Sequence, residues 1–363
     1  MHRAGLARRW LVLAVLVAGG VTAIYAAAPP QTSSSSDRPP GSVYTGPAFR
    51  FNKVAEGVYH AVGTGALAVF CNASIIVNEN EAIVIDTHTT PAGAWALREE
   101  LKAITPKPVR YVINTHWHFD HSHGNQIYGP NVDIIGSAFT RQMIAGGHSM
   151  KGRGIERFIG SIPSQIDQLE ARLGASTDPA ERAKLQAALD VQKNHLEATK
   201  AVVPTPPNVT LTDQLVLHRG AREIRLMFLG RGHTGGDVVV YLPEERLVMT
   251  GDLLVEGTSY MGDAYAADWI ETLDRLKALE FDRVLPGHGS VLEGKARIDH
   301  WQAYLRDFWT EVQALHRAKV PADEAAKRID MRAHAHNYPA ITAPGVIPDN
   351  VHRAYELMDG KAQ

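Results

Sequence analysis

Cysteine is nearly absent: Cys71 stands alone among 363 residues. An intramolecular disulfide is therefore excluded, and so is a structural zinc site built on several thiolates. Any metal must rest on imidazole and carboxylate, which makes the 17 histidines the first place to look. A surplus of one charge sign is missing too, with 37 Lys+Arg against 39 Asp+Glu. That balance argues against a nucleic-acid partner, which favours a basic stripe that neutralises phosphates. Internal repeats are lacking, as is any second region with its own core pattern. What remains is a chain with 45% hydrophobic and 21% charged residues, suited to one large packed domain with elaborations.

The N-terminus reads as an address. Arg3, Arg8 and Arg9 flank the start of an apolar stretch from Trp10 to Ala18, and small residues run on to Ala28. A basic segment, an apolar segment and an Ala-x-Ala-like end together form a secretory signal, here residues 1–28. Left uncleaved, the same stretch is just long enough to anchor the chain in a bilayer. No cysteine lies near its end, which argues against a lipoprotein. A periplasmic or secreted protein is expected, with membrane association only if the segment is retained. Residues 29–46, rich in Pro and Ser, cannot bury apolar area and are expected to be a disordered linker.

Short β-branched runs predict strands at 73–77, 82–85, 109–113, 223–228, 238–242, 247–249 and 284–285. Helical spacing predicts helices at 91–104, 269–279 and 296–319. Alternating strands and helices point to an α/β layered domain over residues 47–320, followed by a helical extension at 321–363. Between them, Ile166, Leu169 and Leu173 form one apolar stripe, and Leu185, Leu189 and Leu196 another. This predicts a helical hairpin inserted at 164–200, with Asp178 as N-cap, Pro179 as first helical residue and Glu181 closing a capping box. The insertion could cover a site, mediate a homodimer or be an inert elaboration.

The decisive stretch is Thr115-His116-Trp117-His118-Phe119-Asp120-His121, directly after the strand 109–113. Three imidazoles and a carboxylate so close together cannot all be buried cheaply without a shared partner. Zinc and similar borderline ions take neutral imidazole nitrogen and carboxylate oxygen. Three more candidates sit at later strand ends: His233, Asp252 and His288. Each is flanked by glycine, which lets the backbone turn sharply and approach a ligand.

These motifs, in this order, resemble the metallo-β-lactamase superfamily over roughly residues 51–290. The resemblance implies a four-layer αβ/βα sandwich with a dinuclear centre at one edge of its two sheets. It implies that His116, His118 and His233 hold the first ion, that Asp120, His121 and His288 hold the second, and that Asp252 bridges them. Two Zn²⁺ are implied, with iron or manganese tolerated by the same donors. Asp86 matches a position that supports the site from behind. A bridging hydroxide oriented by Asp120 would attack the carbonyl of an ester, thioester, lactone or amide in a small-molecule substrate. Cys71 reads as a small buried residue. His123 is either a supporting group or a partnered loop histidine, and His60, His88 and His195 have no constellation around them. His334 and His336 show no partner carboxylate and read as a solvated helix end.

The bridging position narrows the branch. True β-lactamases of the family usually carry Cys or Ser there, whereas Asp252 resembles the glyoxalase II, lactonase and esterase-like branches. Val255 stands where acyl-homoserine lactonases usually have tyrosine, with Tyr260 further along. Three alternatives stay open: hydrolysis of β-lactam antibiotics, an iron-dependent redox enzyme of the persulfide dioxygenase kind, and a non-catalytic metal- or substrate-binding protein.

Overall fold

A computed structural model describes residues 38–361; the expected signal segment and the first half of the expected linker, residues 29–37, lie outside the described residues. One sheet has seven strands in sequential order: β1 (Phe49–Ala55), β2 (Val58–Gly63), β3 (Ala73–Val77), β4 (Ala82–Ile85), β5 (Val109–Ile113), β6 (Asp133–Ser137) and β7 (Val209–Leu211). The other has six: β8 (Gln214–Arg219), β9 (Arg222–Phe228), β10 (Val238–Leu242), β11 (Leu247–Gly251), β12 (Arg283–Pro286) and β13 (Leu292–Glu293), again in order. Pairing is parallel from β4 through β7 and between β11 and β12, and antiparallel elsewhere. The helices are α1 (Pro91–Leu101), α2 (Phe119–Ser122), α3 (Ala138–Ala145), α4 (Arg153–Ala175), α5 (Pro179–Lys200), α6 (Ala266–Lys277), α7 (Ala296–Arg317), α8 (Ala322–Arg328) and α9 (Pro348–Met358).

The central strands are apolar on both faces because both faces are covered. In β3, Ile76 points into the layer between the sheets, with Ile83, Ile113, Leu226 and Val240, while Ile75 points outward to Trp95 and Leu97 of α1. In β10, Val240 faces inward and Val239 outward, against Trp269 and Leu273 of α6 and Trp301 and Phe308 of α7. The period-two alternation of strand side chains thus yields three apolar layers between four structural ones. This is the expected four-layer sandwich. Each fully buried Ile or Leu stabilises it by roughly 1.5–3 kcal/mol.

Several expectations shift. Packing begins at Arg38, not at Pro47: the Arg38 guanidinium lies 5.1 Å from the Trp95 ring, Ser42 is buried, and Asn194 Nδ2 donates to Val43 O at 2.8 Å. The hairpin starts at Arg153 rather than 164, because Gly154, Gly160 and Pro163 mask a helix whose Ile155 and Ile162 are buried. Pro163 removes one backbone hydrogen bond without ending the helix. Asp178 caps α5 by accepting from Ala180 N, but Glu181 accepts from Ser176 Oγ at 2.7 Å instead of closing the capping box. The C-terminal extension shares its core with α7, through Ala325, Ile329, Tyr338 and Val351. His334 is buried there, with Nε2 2.8 Å from Asp307 Oδ2, so it is not the solvated helix end expected; its partner lies on α7, beyond the reach of local pattern. Among the described residues no helix is long and apolar enough to cross a membrane.

His195 of α5 gives the hairpin a pH dependence. It is buried against the rings of Phe70 and Phe158, at centroid distances of 5.4 and 5.7 Å, and neither ring nitrogen has a hydrogen bond. Burial pushes it down from 6.5 to about 4. The folded chain therefore holds it neutral, while the unfolded chain protonates it near its ordinary value. Its contribution is fully present above pH 6.5 and is lost as pH falls towards 4, amounting to about 3 kcal/mol over that range. His195→Leu is expected to remove this part of the acid destabilisation. Urea melts of the two proteins at pH 7 and pH 4.5 check it; an unchanged stability difference at both pH values would refute the assignment.

Candidate metal centre

Parallel pairing brings the loops of the site together. Ile85 lies beside Ile113 and Met249 beside Leu285, so Asp86 follows β4 next to the His116–His121 segment, and Asp252 follows β11 next to His288. His233 emerges after β9. Two glycines permit the convergence. A Cβ on Gly251 (φ +50°) would lie 2.3 Å from Thr115 Oγ1, and one on Gly287 would lie 2.3 Å from Asp252 Oδ1. Neither space admits a side chain.

All seven expected ligand residues meet here. His118 Nδ1 is 3.1 Å from His116 Nε2 and 3.0 Å from His233 Nε2. In the second group, His288 Nε2 is 3.1 Å from Asp120 Oδ2, and His121 Nε2 is 3.5 Å from it. Asp252 touches both groups: Oδ2 is 3.7 Å from His233 Nε2 and 3.3 Å from His288 Nε2, and Oδ1 is 3.4 Å from His121 Nε2. Donors about 2.05 Å from one tetrahedral ion stand about 3.3 Å apart, close to these separations.

The outer hydrogen bonds set which nitrogens face inward. Asp86 Oδ1 accepts from Thr115 N, and its Oδ2 accepts from Thr115 Oγ1 and from His121 Nδ1, all at 2.8 Å. With its proton given to Asp86, Thr115 Oγ1 is an acceptor for His116 Nδ1 at 3.1 Å. His118 Nε2 donates to Asp263 Oδ2 at 3.1 Å. These tautomers turn His116 Nε2 and His118 Nδ1 inward as lone pairs, 3.1 Å apart. Such lone pairs repel, and a cation between them removes the conflict. His121 Nε2 and Asp252 Oδ1 are buried without a hydrogen bond of ordinary geometry, which fits donors to a metal ion.

The electrostatics agree with a site built for positive charge. Burial, reinforced by neighbouring imidazoles, holds His116 well below its usual range and His233 at about 3, so both are neutral ligands. Burial also acts against charge on His121 and His288, but the carboxylates of Asp120 and Asp252 outweigh it, raising His121 well above its usual range and His288 to about 10. Burial disfavours ionised Asp120 and Asp252, and His121 and His288 overcome it, holding both low. Metal loading would replace these protons, so affinity rises with pH.

The remaining candidates separate. His123 is a partnered loop histidine, with Nε2 on Ser149 O at 3.0 Å. His88 Nδ1 is 3.4 Å from Cys71 Sγ, behind the site; burial raises the Cys71 thiol, so it is no nucleophile. His60 is buried in β2. Sequence reasoning missed Asp263 and Thr115, which orient ligands, and Asn114, whose Nδ2 donates to His121 O at 3.1 Å. Asn114 and Thr115 adjoin the histidine motif, a signal that was available. Asp263 sits eleven positions after Asp252 in a loop without pattern.

A cavity of about 540 Å³ opens onto His118, Asp120, His233, Asp252 and His288. Its other side is formed by the first turns of α4, through Ile155 and Phe158, while none of residues 164–200 lines it.

Known proteins are similar to this chain. The chain is 25% identical over 235 residues to 2,4-dinitroanisole O-demethylase subunit alpha of Nocardioides sp. (strain JS1661), covering 63% of this chain and 56% of that protein. It is 20% identical over 298 residues to linear primary-alkylsulfatase of Pseudomonas sp. (strain ATCC 19151), covering 76% and 53%. The chain thus spans about half the length of these two relatives. A metallo-beta-lactamase structure from Pontibacter korlensis aligns over 71% of this chain and 99% of its own, with TM-score 0.51 and 19% identity, which speaks to fold alone. The model of the metallo-beta-lactamase superfamily matches residues 66–288. With that match laid over a four-layer sandwich and a converging His/Asp cluster, the chain belongs to the metallo-beta-lactamase superfamily, whose enzymes are hydrolases and related catalysts that use metal ions, typically zinc.

Proposed function

We propose that this chain is an exported zinc-dependent hydrolase that cleaves a carboxylic ester, thioester, lactone or amide. The observation that carries the reading is the sharing of Asp252 between two complete donor groups at the floor of a cavity. His116, His118 and His233 would hold one ion, and Asp120, His121 and His288 the other. Such a pair supplies an ionised water near neutral pH and an electrophile for the substrate oxygen. The protein's part is positioning. Asp120, kept ionised by His121 and His288 against burial, offers a carboxylate to the proton of an attacking water. Trp117, Phe119 and Val255 keep the cavity wall apolar, which strengthens every charge interaction within it. No Ser or Cys nucleophile is needed.

Export rests on the basic, apolar and alanine-rich order of residues 1–28. The names of the two curated relatives add alkyl sulfates and aryl methyl ethers to the substrates worth screening. The test is hydrolysis of chromogenic esters, thioesters, sulfates and β-lactams by the purified protein before and after removal of metal by a chelator. Loss of turnover on stripping, with recovery on adding zinc, is the expected result. Recovery by iron alone would favour redox chemistry, and full turnover in verified metal-free protein would end the proposal.

A further inference from the structure

We infer that helix α4 is the specificity wall of the site, and that the substrate carries an apolar group next to its scissile bond. The inference rests on the proposed metal centre being the reacting end. Six apolar or aromatic side chains meet around the cavity: Trp117 and Phe119 from the histidine segment, Val255 and Tyr260 from the loop after Asp252, and Ile155 and Phe158 from α4. They share the lining with the His/Asp cluster, so a ligand filling the space meets both polar and apolar surface. A space of about 540 Å³ is within the range that encloses a small organic molecule.

The wall is held in place. Phe158 packs against Phe119 and Phe70, at centroid distances of 4.8 and 4.5 Å. On the other side, α9 anchors α4: Arg157 Nη1 pairs with Asp349 Oδ2 at 2.8 Å, and Arg153 pairs with Glu356. Asp349 also accepts from Tyr260 OH at 3.2 Å, tying two walls of the cavity to one carboxylate. Arg157 is paired with Asp349, Asp263 is engaged by His118 and Glu256 accepts from Ser290 N, which leaves Lys151 as the exposed charged group on the lining outside the His/Asp cluster. A preformed apolar surface binds without the cost of ordering it.

The test separates binding from turnover. Straight-chain carboxylates from acetate to octanoate, with benzoate, are titrated into metal-loaded protein by calorimetry, and the matching p-nitrophenyl esters are assayed in parallel. Affinity is expected to rise about three- to fourfold per methylene over the middle of the series. In Phe158→Ala that slope falls below about twofold per methylene, while acetate binds as before. Phe158→Leu, which keeps an apolar bulk, retains most of the slope and guards against a folding defect. Chain-length-dependent binding with no turnover would leave this inference standing and remove the hydrolase proposal. Turnover of short esters with no gain along the acid series, or an unchanged slope in Phe158→Ala, overturns the inference.

Discussion

Replacement of Asp252 by alanine is expected to leave a folded chain that holds about one metal ion or fewer and hydrolyses a chromogenic ester at least about 10³-fold more slowly. Its carboxylate approaches His233 on one side and His121 and His288 on the other, so its loss removes a donor from both groups at once. Two ions held by these groups would lose the negative charge between them, and two cations are hard to keep so close without it. Folding should survive, because the alanine methyl fits beside Gly287 and the flanking Leu253 and Leu254 keep their burial. Metal analysis and initial rates on parent and variant decide the matter. Two ions retained with activity within tenfold would mean that Asp252 does not bridge.

The sequence disclosed chemistry better than architecture. The run from His116 to His121 was legible because four of the seven candidate ligands sit on one short loop, where their spacing survives in the primary structure. His233, Asp252 and His288 were legible through their glycines, and Gly287 shows why: its Cβ would collide with Asp252. Buried strands such as β3, β4 and β10 were legible as unbroken apolar runs, since both their faces are covered. The edge strands were not. β1 carries Asn52 and Lys53, and β8 carries Gln214 and His218 on half-exposed backbone that lacks a clean alternation. The first turns of α4 were hidden by glycine and proline, although they wall the cavity. His334 and Asp263 make their sense only through partners remote in sequence, Asp307 and His118. No window of local pattern contains both members of such pairs.

Asp86→Asn should weaken both metal positions together, although Asp86 contacts neither expected ion. The carboxylate orients His121 directly and His116 through the Thr115 hydroxyl, one ligand of each group. Asp86 holds φ +65°, a left-handed conformation that asparagine adopts readily, so the exchange alters hydrogen bonding and leaves the backbone in place. The carboxamide has one acceptor oxygen where three donors converge. Turned one way, its NH₂ meets Thr115 N–H; turned the other way, it meets the Thr115 hydroxyl and His121 Nδ1–H. A reversed Thr115 hydroxyl would in turn lose its bond from His116. Each arrangement leaves a buried donor unmatched, which costs about 1–3 kcal/mol of stability in the metal-free protein. Misaligned imidazoles should lower metal affinity roughly 10–100-fold at each position. Once saturated with zinc, the variant should recover turnover close to the parent, because Asp86 is 2% exposed and does not line the cavity. Competition with a chromophoric chelator measures the affinities, and rates at rising zinc measure the recovery. Parental affinity at both positions would show that the relay through Thr115 does not act; a turnover defect persisting at saturating zinc would place Asp86 nearer the reaction than its geometry allows.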